Sequence, residues 1–222
     1  MVSFAEIQKQ AELNSGGKKE LAARMPEILP NEKLRQIATT DYFSTMTFRV
    51  FSAGLNQKMV RNKWPAFEEV FLGFEPSKIA FFSEDDIGRL MTDTRIIRHL
   101  GKIRATHNNA LTMIELEKEY GSFGNYLADW PEADSIGLWE DLKKRFTQLG
   151  GNSGPYFLRM MGKDSFMLTP DVIRALNKLD IAAGKITAKR DRTKVQAAFN
   201  IWHKESGLNY AELSRTLAIW VG

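Results

Sequence analysis

Cysteine is absent from the 222 residues, and histidine occurs only three times, at His99, His107 and His203. No disulfide and no thiolate metal site can be built from such a chain, and too few imidazoles remain for a zinc centre. Apolar runs of membrane-spanning length are also missing, so no transmembrane helix is expected. The opening "MVSFAEIQKQAELNSGG" lacks the basic start and greasy stretch of a secretory signal, and a cytoplasmic protein is the expectation. Alternating apolar–polar runs bounded by turns are scarce, which argues against a sheet. Neither internal repeats nor low-complexity tracts occur.

What is present is helical. Ile87, Leu90 and Met91 recur at i, i+3 and i+4, and Leu100, Ile103, His107, Ala110, Leu111 and Ile114 continue such a stripe. Trp202, Leu213, Leu217 and Trp220 mark the last helices. The period predicts an all-α fold. "SEDD" at Ser83 and "TPDV" at Thr169 read as capped helix starts. Since helices run from near Asn31 to the end without a long linker, a single bilobal domain over residues 1–222 is expected. The formal charge of +4 permits an acidic partner such as nucleic acid without requiring one.

One segment breaks the helical pattern with glycine. "LWEDLKKRF" (Leu138 to Phe146) reads as a helix, "TQLGG" ends it, and "SGPYFLRMMG" starts another with Ser153 as its cap. Two short helices on a tight glycine turn make a helix-hairpin-helix, here at about 138–162. In such a turn the N–H groups of Leu149, Gly150, Gly151, Asn152 and Ser153 can face outward, where a phosphate approaches without meeting a Cβ atom. Lys143, Lys144 and Arg145 precede the turn and attract a phosphodiester backbone. The plain alternative is that Gly150 and Gly151 only end one helix while Ser153 begins the next. Asp171, at the start of a further helix, is a candidate catalytic carboxylate or simply a first-turn acid that complements the helix dipole. Asp164, in a turn, is a poorer candidate. Tyr42, Phe43, Phe51 and Tyr156 are aromatic residues that can stack a base or pack a core. Arg98, Lys102 and Arg104, and the run from Lys185 to Lys194, read as solvated basic faces or as phosphate contacts. His99 and His107 have no paired acid or nucleophile in the sequence and read as structural.

Three further stretches carry a resemblance: "AGL" at Ala53 to Leu55, "FEEVFLGFEPSKIA" from Phe67 to Ala80, and "DTRIIRHLGKIRATHNNA" from Asp93 to Ala110. In this order they resemble the DNA-3-methyladenine glycosylase I family, within the helix-hairpin-helix DNA glycosylases. The glycine hairpin falls where that family keeps its own. The resemblance implies two helical lobes around a cleft and an enzyme of base excision repair. Such a protein hydrolyses the N-glycosidic bond of alkylated purines such as 3-methyladenine in double-stranded DNA. It also implies a monomer acting without a cofactor. The family's zinc-binding Cys and His residues have no counterpart here, so no metal is expected. Where the family carries a base-reading glutamate this chain has Arg49, and where it carries a stacking tryptophan it has Gln57. With Tyr42, Phe51 and Tyr156 these are the expected substrate-binding residues. A DNA-binding protein of the same fold, inactive or altered in specificity, is the alternative.

Overall fold

The computed structural model describes residues 3–222, and among them every regular element is helical. The helices are α1 (Phe4–Ser15), α2 (Lys18–Ala22), α3 (Asn31–Gln36), α4 (Thr39–Ser52), α5 (Gln57–Val70), α6 (Pro76–Ile79) and α7 (Glu84–Thr92). They continue as α8 (Leu100–Tyr120), α9 (Phe123–Asp129), α10 (Ser135–Arg145), α11 (Ser153–Met160), α12 (Pro170–Lys178), α13 (Lys189–Ser206) and α14 (Tyr210–Val221). Two compact units form. Among the described residues, one takes in 3–29, Pro131–Leu138 and Asp164–Gly222, and the other Pro30–Trp130 and Trp139–Lys163. Two helices, α1 and α2, precede Asn31, where the apolar stripe alone signalled none.

The caps explain several helix starts. Ser83 accepts from the Asp86 N–H at 3.2 Å while Asp86 accepts from the Ser83 N–H at 2.8 Å, a reciprocal capping box. Thr169 accepts from Val172, and Pro170 fills the first helical position of α12, where its missing N–H costs nothing. His99 turns out to be a cap as well, since its ring accepts from the Lys102 N–H ahead of α8. Asp164 accepts from the N–H groups of Tyr210 and Ala211 at 3.0 and 2.8 Å, so it closes the start of α14. Burial nonetheless pushes its carboxyl upward, and the two amides only partly offset this.

The second of these units is built around α4. Beyond Asp41, only Ser44, Thr45 and Arg49 on this helix escape burial. An almost uniformly apolar circumference is what a central helix needs. Phe67, Phe71 and Phe74 stack in sequence at ring separations of 6.0 and 5.7 Å, with Trp64 stacked on both Phe67 and Phe74. All three phenylalanines are buried, each contributing about 1.5–3 kcal/mol of transfer free energy. Glycine is required at 124, because a Cβ there would sit 2.5 Å from the Leu34 carbonyl oxygen where α9 packs on α3. In the other unit Phe166 stacks on Phe199 at 4.1 Å, and Trp202 packs against Phe199 and Phe4.

Candidate nucleic-acid interface and base pocket

Between α10 and α11 the chain turns through residues 146–152. Gln148 and Gly151 take left-handed backbone angles, φ 65° and 60°. Gly151 needs no side chain to do so, whereas Gln148 is held there by donating its amide to the Gly101 carbonyl at 3.0 Å. Asn109 grips the same turn from α8. Its oxygen accepts from the Thr147 N–H at 2.7 Å and its nitrogen donates to the Thr147 carbonyl at 3.1 Å. The hairpin is therefore anchored before any ligand arrives.

Its amides divide into two groups. The Ser153 N–H donates to the Gly150 carbonyl and the Gly154 N–H to the Leu149 carbonyl. Those of Gly150, Gly151 and Asn152 find no acceptor in the protein among the described residues. Gly151 and Asn152 are exposed. The Ser153 N–H is thus tied up inside the turn, against the expectation that it faces a ligand, while Leu149, whose side chain is buried, also donates its N–H to no acceptor among the described residues. Ser153 is also not the cap. Asn152 occupies that position, and its side chain makes no capping bond. Helix α10 begins at Ser135, three residues before the apolar pattern suggests.

The three cations ahead of the turn are not equivalent. Lys143 and Lys144 are exposed and form no ion pair among the described residues. Arg145 is paired with Asp141 at 2.9 Å and with Glu119 at 3.0 Å, and Asp141 also accepts from the buried Tyr126 hydroxyl at 2.8 Å. Its charge is paired within the fold, which sets it apart from the two lysines.

Several expected base-stacking residues belong to the core. Tyr42 and Phe51 are fully buried; the Tyr42 hydroxyl donates to the Leu34 carbonyl, and Phe51 meets Phe67 edge-on at 4.6 Å. Phe43 is buried too. Burial removes all three from any ligand, because stacking needs an open ring face. Gln57 lies exposed at the first position of α5, behind Asn56, which accepts from Lys58 and Met59. Nor is Lys102 on a solvated face. It is 6% exposed and donates to the carbonyls of Phe51 and Ala53 at 3.0 and 2.7 Å, closing the end of α4. That bond holds the loop after α4, where Gly54 takes φ 76° and Leu55 is left exposed. Arg104 pairs with Glu84.

Arg49 and Tyr156, by contrast, are brought together. The guanidinium carbon lies 4.8 Å from the Tyr156 ring centroid, between α4 and α11. Burial lowers the affinity of Arg49 for its proton, and the Tyr156 hydroxyl works the other way. Asp41 is exposed and does not pair with it. One turn along the same seam opens a pocket of about 190 Å³ lined by Ser44, Thr45, Phe48, Arg61, Trp64 and Met160. Phe48 meets Trp64 edge-on at 5.0 Å, Arg61 lies 5.3 Å from the Phe48 ring centroid, and the Trp64 indole donates to Ser44. Sequence reasoning missed all six lining residues. Only the position of Trp64 and Arg61 just ahead of the Phe67 motif pointed toward them.

Asp171 lies in the other unit, in the first turn of α12. Its carboxylate is half-exposed and paired with Arg174 at 3.1 Å. A zinc ion has no donor set, since the chain lacks cysteine and no three His, Asp or Glu side chains converge among the described residues. No helix among them is long and apolar enough to cross a membrane.

Comparison with known proteins supplies the remaining context. The methyladenine glycosylase family model matches residues 35–148. DNA-3-methyladenine glycosylase 1 of Escherichia coli K12 is 36% identical over 75 residues, which cover 34% of this chain but only 40% of that protein. The Haemophilus influenzae DNA-3-methyladenine glycosylase is 30% identical over 129 residues, 50% of this chain and 70% of its own. Among solved structures, 3-methyladenine DNA glycosylase I from Staphylococcus aureus superposes with a TM-score of 0.52 at 28% identity, over 63% of this chain and 81% of that one.

Proposed function

This chain belongs to the methyladenine glycosylase family, and on that premise we propose that it is a DNA glycosylase of base excision repair. It hydrolyses the N-glycosidic bond of damaged purines in double-stranded DNA, alkylated purines such as 3-methyladenine being the class named for its relatives. The observation that carries the reading is the family match over 35–148, which runs to the edge of the glycine hairpin. The N–H groups of Gly150, Gly151 and Asn152 seat a phosphate, and Lys143 and Lys144 draw the duplex in. Leu55, exposed on the Gly54 turn, is suited to fill the gap left by an extruded base. Extrusion costs a few kcal/mol and is easiest for a damaged base.

In the chemical step the C1′–N bond breaks and the sugar gains oxocarbenium character. Asp171 is the carboxylate assigned to stabilise that charge, after which a water oxygen bonds to C1′ and the proton it loses passes to solvent. The protein works as a monomer in the cytoplasm, without metal or organic cofactor. Incubation with duplexes carrying methylated, oxidised or deaminated purines, followed by an assay of free bases, tests this function. Release of an alkylated purine is expected, and no release of any modified base at stoichiometric protein refutes it. A second reading, a protein of the same fold with altered specificity or no catalysis, draws support from Arg49, a cation beside the pocket where a cationic base would have to bind.

A further inference from the structure

Past Asp41, the only stripe of α4 that is not buried carries Ser44, Thr45 and Arg49, so the unit opens there and nowhere else along this helix. The charges identified at that opening are positive. Arg61 lines the pocket. Arg49 sits over Tyr156 one turn away, since Thr45 and Arg49 are four residues apart on α4, as are Tyr156 and Met160 on α11. Burial of the Lys102 ammonium lowers its affinity for a proton, and the charge of nearby Arg49 acts in the same direction. No carboxylate lines the pocket, and neither Arg49, Arg61 nor Lys102 forms a salt bridge among the described residues. The Arg49 Nε and the Ser52 hydroxyl, one turn further along α4, are buried without a partner. A buried guanidinium edge with no acceptor and no counter-charge is costly unless a ligand completes it.

We propose that this pocket selects a purine that is neutral in DNA and carries an exocyclic oxygen, one that is oxidised, deaminated or O-alkylated, and that Arg49 is the residue that rejects cationic N-alkylated purines. The proposal rests on the glycosylase reading and narrows its substrate. The chemistry of departure favours it. A purine alkylated on a ring nitrogen is already cationic and leaves as a neutral molecule, so positive charge in the pocket opposes its binding and does nothing for its departure. A neutral purine takes the electron pair of the breaking C1′–N9 bond and leaves as an anion. Arg49, beside the pocket, and Arg61, which lines it, stabilise that developing charge until a water molecule gives hydroxide to C1′ and its proton to the base. The oxygen of the base also provides the acceptor that the Arg49 fork lacks.

The test uses the full chain and duplexes with a single central purine: hypoxanthine, 8-oxoguanine or O6-methylguanine against 7-methylguanine and 3-methyladenine. Binding is measured on 2′-fluorinated versions, which resist hydrolysis, and base release on the unprotected ones. The wild type should bind at least one oxygen-bearing neutral lesion roughly 10- to 100-fold more tightly than 2′-fluoro-7-methylguanine. Arg49→Glu should reverse that order. Arg49→Lys should keep its sign, and Arg49→Met, which retains bulk against Tyr156, should abolish the discrimination. Melting curves identify any variant that fails to fold, and Arg61→Met then supplies the same comparison from the other side of the pocket. Preferential binding and release of a cationic base by the wild type overturns the inference while leaving the glycosylase function standing. Absence of any release, with the binding preference intact, overturns the enzyme and not the selectivity. If Arg49→Met weakens undamaged and damaged duplexes by the same factor, Arg49 is a backbone contact and the proposal is wrong.

Discussion

The three cations before the hairpin should separate cleanly in a salt titration. Lys143 and Lys144 are exposed and unpaired, whereas Arg145 is tied to Asp141 and Glu119. Each lysine that neutralises one phosphate contributes about 0.9 to the slope of log affinity against log salt. Raising salt from 50 to 200 mM is a fourfold change, so one contact accounts for about a 3.5-fold loss and two for about a 12-fold loss. Lys143→Ala/Lys144→Ala is therefore expected to flatten the slope by about 1.8 and leave the melting temperature unchanged. Arg145→Ala should do the reverse. It removes a partly buried link between two carboxylates and strands the Asp141 that Tyr126 also contacts, a cost of roughly 1–2 kcal/mol after allowing for the half-exposed Glu119. The slope should stay within error of the wild type. Fluorescence anisotropy of a labelled duplex over five salt concentrations, with thermal melting of the same samples, measures both quantities. A slope change for Arg145→Ala equal to that of the lysine pair refutes the view that its charge is spent internally.

The remaining expectations concern the glycines and two acids. Gly150→Asp should fold normally, because a Cβ there meets nothing closer than Lys143 Cγ at 3.5 Å, yet it should weaken DNA binding at every salt concentration; unchanged affinity removes the hairpin from the contact surface. Gly151→Ala should cost about 1 kcal/mol by itself, since φ 60° is strained for any side chain, and urea unfolding measures it. Asp171→Asn should slow base release roughly 100-fold or more while leaving duplex affinity intact, and a full rate in a single-turnover assay withdraws its catalytic role. Asp164→Ala frees two amides of α14 and should cost about 1–2 kcal/mol. Because burial raises the folded pKa of Asp164, its contribution is greatest below the unfolded value of about 3.9 and declines as pH rises through the folded value. Asp86, Asp93 and Asp129 are depressed by their hydrogen-bond partners, so their contributions run the other way and vanish as pH falls below about 4. Melting curves from pH 6 to 3 should show the wild type losing stability overall but gaining on Asp164→Asn, and a constant gap between the two contradicts the raised value.

Much of the fold was legible because its cues are local, whereas the pocket lining was not. The Ser83 and Thr169 caps, the 3.6-residue stripe of α8 and the glycine turn each depend on residues within a turn or two of one another, which is the range of helical hydrogen bonding. The exclusion of a thiolate zinc site needed no structure at all, since no arrangement of a cysteine-free chain supplies thiolates. Tertiary packing decided which of the candidate side chains still face solvent. Tyr42 and Phe51 look as suitable for stacking as Tyr156, but past Asp41 α4 is enclosed on every side except the stripe of Ser44, Thr45 and Arg49. Lys102 and Arg145 read as surface cations until carbonyls at the end of α4 and carboxylates on α8 and α10 are found to claim them. The pocket beside Trp64 exists because α4, α5 and α11 meet there. Helical periodicity states which residues share a face; which faces are covered depends on partners far away in the chain, and that information is not local.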